Sequence, residues 1–394
     1  MEHPMPDEVG IPRDEIDRRL ARVRQRMADR GLELLIVFSS PGNLRYGQRG
    51  HVLYLSGYEP YFGDCMMLLP LDPAIDAVLV KDAANYFPHT CTWIADVRDA
   101  GDRVTTVTGF LSDNGLQQSG VAVAGEYSAS PAVYLRLCDA LGPARLEIAS
   151  DILERERSVK SEYELECLKG AAAIAGRGLE AAARFMRPGV TESDVKGEVE
   201  RVCRAQGSQA FPHYTMVVSG KDEAYTSSWW QCERRLLAAG DPVSIDFGTM
   251  YRGYCCDLSR PFVLGKASQR QKDTLKVLVE AHHAAAAAAR PGVGASTVDA
   301  AANNVLTAAW GDRDWWGIGH GVGLEVHEWP FIGYHRIVDD RAYEDRVLEK
   351  DMVISLEPTM ALPDTGDFQI EDQFVVKEEG AVRLNDVPHE ITEI

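Results

Sequence analysis

Apolar residues recur along this chain with different periods, and the changes of period mark out its elements. Near the start, Ile16, Leu20, Val23 and Met27 repeat at helical spacing, and Gly31 can end the helix they define. LELLIVFS then reads as a buried strand, and GHVLYLSGY, CMMLLPL and AVLVK read as further strands. Helix and strand alternate in this way to about residue 150, the pattern of an α/β domain. ILERERSVKSEYELECLKGAAAIAG is charged at first and then strongly helical. That shift places a boundary between residues 150 and 160 and divides the chain into 1–155 and 156–394.

The second region echoes itself. MRPGVTESDV (186–195) resembles ARPGVGASTV (289–298), with Arg-Pro-Gly-Val repeated 103 positions later. In both copies a helix ends at Pro-Gly and another begins after a Thr or Ser cap, and Thr191 with Asp194 fits a capping box. The repeat predicts an internally duplicated domain whose site lies where the halves meet.

Between the two copies lies VSIDFGTMYRGYCCDLSRPF (243–262). Val243 to Phe247 alternates as a strand, Tyr254 to Ser259 can run back beside it, and Met250-Tyr251-Arg252-Gly253 suits the turn. A turn centred between Tyr251 and Arg252 pairs Asp246 with Asp257, their Cβ atoms roughly 4.5–5.5 Å apart. Two carboxylates that close either share a proton or hold a cation.

Three later segments supply further candidate ligands. WWGIGHGVGLEVHEWP holds His320 and His327, VISLEP puts Glu357 at the end of an apolar strand, and FQIEDQFVV puts Glu371 in mid-strand. Glu371 shares a strand face with Gln369 and Gln373, and its apolar neighbours Ile370 and Phe374 make an uncompensated acid there costly. Asp246, Asp257, Glu357, Glu371 and His320 together offer four negative charges and one imidazole, which two divalent cations would neutralise. Oxygen-rich ligation with one nitrogen suits Mn²⁺, Fe²⁺ or Co²⁺, and Zn²⁺ is also accommodated. Such a pair of ions activates water and stabilises a developing oxyanion.

Composition narrows the partners. The 394 residues carry a formal charge of −19 with no basic run, which argues against nucleic acid and anionic membrane as partners. No stretch approaches the ~20 apolar residues of a membrane span. The polar, acidic N-terminus does not read as a signal or transit peptide. The eight cysteines form no CxxC pair and read as reduced thiols of a cytoplasmic protein; adjacent Cys255 and Cys256 point to opposite strand faces, against a zinc site there.

The ordered set IDFG, DLSRPF, GHGVGLEVHE, LEP and IED resembles the pita-bread metallohydrolases, in particular the branch of Xaa-Pro dipeptidase (prolidase), aminopeptidase P and creatinase. SVKSEYELECLKGAA and the N-terminal α/β region extend the resemblance over essentially the whole chain. It implies a creatinase-like N-terminal α/β domain and an α+β pita-bread catalytic domain with a pseudo-twofold duplication. It further implies a dinuclear centre, manganese first, in which a metal-bridging water attacks a prolyl amide bond. Asp246 would chelate one ion, His320 and Glu357 would hold the other, and Asp257 and Glu371 would bridge both. Glu357 would also act as general acid and base, His327 would donate to the scissile carbonyl oxygen, and His213 in AFPHYTMVVSG would line the substrate pocket. A homodimer is the assembly the resemblance implies.

Two positions depart from the family pattern. Proline-directed peptidases carry a histidine about seven residues after the Ser-Gly that matches Ser219-Gly220, where this chain has Ser227. The last motif commonly reads Arg-Ile-Glu-Asp, and here Gln369 replaces the arginine, removing a cation beside Glu371. Six of seven tryptophans (Trp229, Trp230, Trp310, Trp315, Trp316 and Trp329) fall in the second region. They suit core packing and dimer contact, or an aromatic pocket in which Ser227, Trp229 and Trp230 touch substrate. Three functions follow: hydrolysis of short Xaa-Pro peptides, hydrolysis or elimination on a small cationic metabolite as in creatinase and relatives acting on ectoine or sulfonium compounds, and non-catalytic binding on the same fold.

Overall fold

The computed structural model describes residues 10–41, 49–61, 63–82, 84, 92–142, 145–221, 234–311, 317–333 and 345–394. The chain forms two compact units, Met1–Arg157 and Ser158–Ile394.

In the first unit, α1 (Arg13–Asp29) buries Ile16, Leu20, Val23 and Met27 as the spacing predicts. β1 (Leu32–Ser39) follows, then α2 (Gly50–Ser56), β2 (Cys65–Pro70), β3 (Val78–Lys81), β4 (Asp96–Asp99), α3 (Arg103–Asp113), β5 (Gly120–Ala124), α4 (Pro131–Leu141), β6 (Leu146–Ile148) and α5 (Ser150–Ser158). The strands make one mixed six-stranded sheet in the order β4-β3-β2-β1-β5-β6. One expectation fails here: GHVLYLSGY forms the helix α2 rather than a strand. All seven helical residues are buried, so the apolar run shows no polar face from which a period could be read.

The second unit is built twice. α6 (Glu162–Phe185) and α7 (Glu192–Ala205) lead into β7 (Met216–Ser219), β8 (Pro242–Tyr251) and β9 (Tyr254–Val263). α8 (Gln269–Ala288) and α9 (Ala295–Trp310) lead into β10 (Gly319–Gly321), β11 (Glu328–Ile332), β12 (Val353–Leu356), β13 (Thr359–Leu362), β14 (Gly366–Gln369), β15 (Asp372–Lys377) and β16 (Gly380–Arg383), with β17 (Thr392–Glu393) last. The sheets run β17-β9-β8-β7 and β11-β10-β12-β15-β16, with β13 and β14 as a separate pair.

The Arg-Pro-Gly-Val copies occupy equivalent corners. Gly189 and Gly292 both take positive φ, 94° and 83°. Their N–H groups donate to Leu237 and Leu348 at 2.8 Å, and those leucines donate back to Val190 and Val293 at 2.8 Å. Thr191 and Asp194 close the expected capping box before α7. Each helix pair then covers one face of its strands. Ile245, Phe247, Cys256 and Leu258 face the core shared with α6 and α7, while Ile354, Leu356, Ile370 and Phe374 face the core shared with α8 and α9. Because strand side chains alternate, Asp246, Asp257 and Ser355 are turned to the opposite face.

Candidate metal centre

The β8–β9 hairpin brings its two acids to one face by a register different from the one expected. Tyr251 pairs with Tyr254 across a two-residue turn, Arg252-Gly253, so Asp246 opposes Ser259 and Asp257 opposes Gly248. Both turn residues take positive φ, 50° and 82°, which matches the type I′ geometry that suits the twist of a tight hairpin. The register is displaced by two residues. An even displacement keeps Asp246 and Asp257 on the same face, as diagonal rather than direct neighbours.

His320 sits on β10 between Ser355 of β12 and Phe331 of β11. Its Nδ1 donates to the Gly321 carbonyl at 3.0 Å, which puts the lone pair on Nε2. That nitrogen lies 3.8 Å from Asp257 Oδ2, 3.6 Å from Glu357 Oε1 and 3.8 Å from Glu371 Oε1. Glu357 follows the last residue of β12, as expected.

Glu371 is not in mid-strand. It lies between β14 and β15, where the chain passes from one ladder to another, and it bridges to Ser259 with its N–H 3.2 Å from the Ser259 carbonyl. This bridge joins the second half-domain to the hairpin of the first. The Ser355 hydroxyl donates to Glu371 Oε1 at 2.7 Å. Sequence reasoning missed Ser355, although its place two residues before Glu357 on one strand face was a usable signal.

Gln369 turns its amide toward Glu357 rather than Glu371, with Nε2 3.4 Å from Oε2. Arg260, also missed, brings a cation to the Glu371 main chain, its Nη1 donating to the Glu371 carbonyl at 2.8 Å. Arg260 Nη2 pairs with buried Asp372 at 2.6 Å, and Asn385 and His389 complete that carboxylate at 2.7 and 2.8 Å.

His327 stacks near His320, ring centroids 4.0 Å apart. The His213 ring lies beside the hairpin acids, with Nε2 2.8 Å from Asp257 Oδ1 and 3.9 Å from Asp246 Oδ1. Ser227, Trp229 and Trp230 lie outside the described residues.

Electrostatics separate the acids. Burial, reinforced by Asp257, Glu357 and Asp246, pushes the Glu371 carboxyl well above the usual carboxylate range. Burial also acts to raise Asp257, but with no metal present His213, His320 and His327 outweigh it when they are protonated and hold that carboxyl down at about 2. The cluster therefore carries more negative charge than its burial tolerates without protons or cations.

The donors present fit divalent ions. His213, Asp246 and Asp257 each offer a ligand atom within 4.8 Å of the others, and so do His320, Glu357 and Glu371. Donors roughly 2.0–2.2 Å from one ion can stand at most about 4.4 Å apart, and the separations quoted above for His213 and His320 respect that limit. Carboxylate oxygens with imidazole nitrogen suit a first-row divalent metal.

The model of metallopeptidase family M24 matches residues 166–378, and that of the creatinase/prolidase N-terminal domain matches residues 19–159. The chain belongs to metallopeptidase family M24. This M24 chain is 34% identical over 385 residues, 95% of either chain, to a probable dipeptidase, PepE, of Mycobacterium tuberculosis. It is 32% identical over 242 residues to the Xaa-Pro dipeptidase of Pyrococcus furiosus, spanning 61% of this chain and 67% of that protein. The crystal structure of an X-Pro aminopeptidase from Thermotoga maritima matches with a TM-score of 0.82 at 25% identity, covering 95% of this chain and 99% of the other. The M24 chain is thus a metal-dependent peptidase with a creatinase-type N-terminal domain and a pita-bread catalytic domain. Among its described residues, no helix is long and apolar enough to cross a membrane.

Proposed function

We propose that this M24 peptidase hydrolyses Xaa-Pro dipeptides at a dinuclear metal centre. The observation that carries the reading is the position of Asp257. One of its oxygens faces His213 and the other faces His320, so a single carboxylate spans two donor groups. Asp246 would hold an ion at one end, His320 and Glu357 would hold one at the other, and Asp257 and Glu371 would be shared between them. Manganese is the first choice for this oxygen-rich set, with iron, cobalt or zinc as alternatives. The substrate class comes from the relatives named as Xaa-Pro dipeptidase and X-Pro aminopeptidase. Residues 1–155 act as the N-terminal domain and 156–394 as the catalytic domain of a cytoplasmic homodimer.

Bound divalent ions supply Lewis acidity and a water ionised near neutral pH. Glu357 takes the proton of the attacking water and passes it to the leaving prolyl nitrogen. Gln369, donating to Glu357, holds that carboxylate in place. His327 donates an N–H to the carbonyl oxygen as negative charge develops there. Ser355 fixes Glu371 by its hydrogen bond.

A second reading is kept alive by Ser227 and Gln369, which replace the histidine and arginine of the proline-directed pattern. In that reading the same centre acts on a small cationic non-peptide. Metal-loaded protein assayed on Gly-Pro, Ala-Pro and an Xaa-Pro tripeptide, beside creatine-like, ectoine-like and sulfonium compounds, separates the two. Turnover of the dipeptides at ordinary enzymatic rates is expected. No peptide turnover with metal bound would overturn the proposal in favour of the second reading.

A further inference from the structure

His213 was expected in the substrate pocket, yet it is 5% exposed and its ring meets the hairpin aspartates. We infer that His213 is a nitrogen ligand of the ion held by Asp246 and Asp257, so that each end of the centre carries one imidazole. This inference rests on the two-ion reading above.

Three observations support it. First, His213 and His320 are oriented alike. Nδ1 of each lies 3.0 Å from the main-chain carbonyl of the next residue, Tyr214 or Gly321, and donates to it. The lone pair of each neutral ring is thereby on Nε2, the atom turned to the carboxylates.

Second, the spacing suits a shared ion. Two donors at roughly 2.0–2.2 Å from one metal and at right angles stand about 3 Å apart. Nε2 is 2.8 Å from Asp257 Oδ1 and 3.9 Å from Asp246 Oδ1. With Nδ1 donating elsewhere, the short Nε2 contact needs either a second ring proton or a cation, and a divalent ion supplies the larger charge between two acids.

Third, the position is built rather than incidental. Gly248 lies opposite Asp257 on the hairpin, and a Cβ there would stand 2.6 Å from Pro212 Cγ and 2.4 Å from the Cys256 carbonyl oxygen. The missing side chain lets Pro212 lie on the strand, and Pro212 carries His213 to the aspartates. The glycine of IDFG thus acts on the centre through the residue before the histidine.

A second imidazole changes what the centre selects. Nitrogen donors favour Co²⁺ and Zn²⁺ over Mn²⁺ more than carboxylates do. His213 therefore tilts an otherwise oxygen-rich site toward the later metals.

The test uses full-length protein stripped by chelation and titrated anaerobically with Co²⁺, reading stoichiometry, affinity and the visible d–d spectrum. The parent is expected to bind two Co²⁺ per chain. His213→Ala and His213→Gln should each weaken one of the two by at least the ~10–100-fold that loss of even an outer partner costs, with a changed d–d band. Mn²⁺ affinity should fall less, and added imidazole should partly restore the spectrum of the alanine variant. Glutamine can still donate to Asp257 but brings no imidazole nitrogen, and it decides the matter if the alanine variant does not fold. A glutamine variant that binds both Co²⁺ with parental affinity and spectrum overturns the inference, as do variants that change only KM. A parent with fewer than two sites sinks the two-ion reading as well, whereas two parental sites untouched by either variant sink this inference alone.

Discussion

Asp367 is a carboxylic acid placed where charge is expensive, and its replacement by asparagine should stabilise the protein at alkaline pH. The residue lies on β14, 5% exposed, and its Oδ1 has no hydrogen-bond partner. Burial pushes the carboxyl up from an ordinary value of 3.8 to about 7, with Ser244 and the Phe368 N–H offsetting part of the effect. The folded state therefore keeps a proton that the unfolded chain releases above pH ~4. Between pH ~4 and ~7 the folded state binds more protons, so this group's contribution to stability falls as pH rises through that window and is fully lost above it. A shift of about three units corresponds to roughly 4 kcal/mol, and local relaxation brings the expectation to about 2–4 kcal/mol. Asparagine is neutral at every pH and close in shape.

Urea unfolding of metal-free Asp367→Asn beside the metal-free parent, at pH 4.5, 6 and 8, reads the effect as a difference between the two. Contributions from other titrating groups then largely cancel. The advantage of the variant should be about 1 kcal/mol at pH 4.5 and grow to about 2–4 kcal/mol at pH 8. A difference that stays flat over that range, or a variant less stable at pH 8, would show that the carboxylate finds compensation when it ionises.

Other perturbations test other parts of the same unit. Gly248→Ala forces a Cβ against Pro212 and the Cys256 carbonyl; calorimetry should show a loss of about 1–3 kcal/mol, and a parental melting temperature would mean that the hairpin yields freely. Asp372→Asn leaves Arg260, 2% exposed, without its anion; a loss of about 3–5 kcal/mol in denaturant unfolding is expected, and less than about 1 kcal/mol would mean that the cluster does not depend on the charge. Chelation should lower the melting temperature reversibly, since ions present at about 100 times their Kd stabilise by ~2.7 kcal/mol; an unchanged transition would argue against ions in the folded state. Glu357→Ala should abolish peptide hydrolysis while leaving a cooperative unfolding transition, and residual turnover near the parental rate would remove Glu357 from the proton transfer.

What could be read from residues alone was side-chain facing more than exact pairing. Alternation along VSIDF fixed which side Asp246 takes, whatever the turn. The turn itself was misplaced because Arg252 takes positive φ, a conformation that composition does not announce in a residue with a Cβ. α2 was misread because a seven-residue run buried on every side has no period. Glu371 was read as mid-strand because FQIEDQFVV keeps one alternation while the chain changes ladders beneath it. The second Arg-Pro-Gly-Val, by contrast, marked a true structural repeat, since both copies serve the same helix-to-helix corner with the same Gly–Leu main-chain hydrogen bonds, although α9 starts after Gly294 without the side-chain cap expected there.

These errors left the candidate centre intact for a common reason. Each half-domain needs its helix pair covered by one face of its strands, and that requirement turns every second residue away from the helices. Acids placed at those second positions converge on the uncovered faces even when register shifts by two or a strand breaks. The Ser259–Glu371 bridge then brings one uncovered face to the other. The placement of five candidate ligands from separate segments is thus largely a consequence of core burial. What the alternation cannot supply is the approach of a residue from outside the strands, and His213 arrives by such a route, through the gap that Gly248 leaves for Pro212.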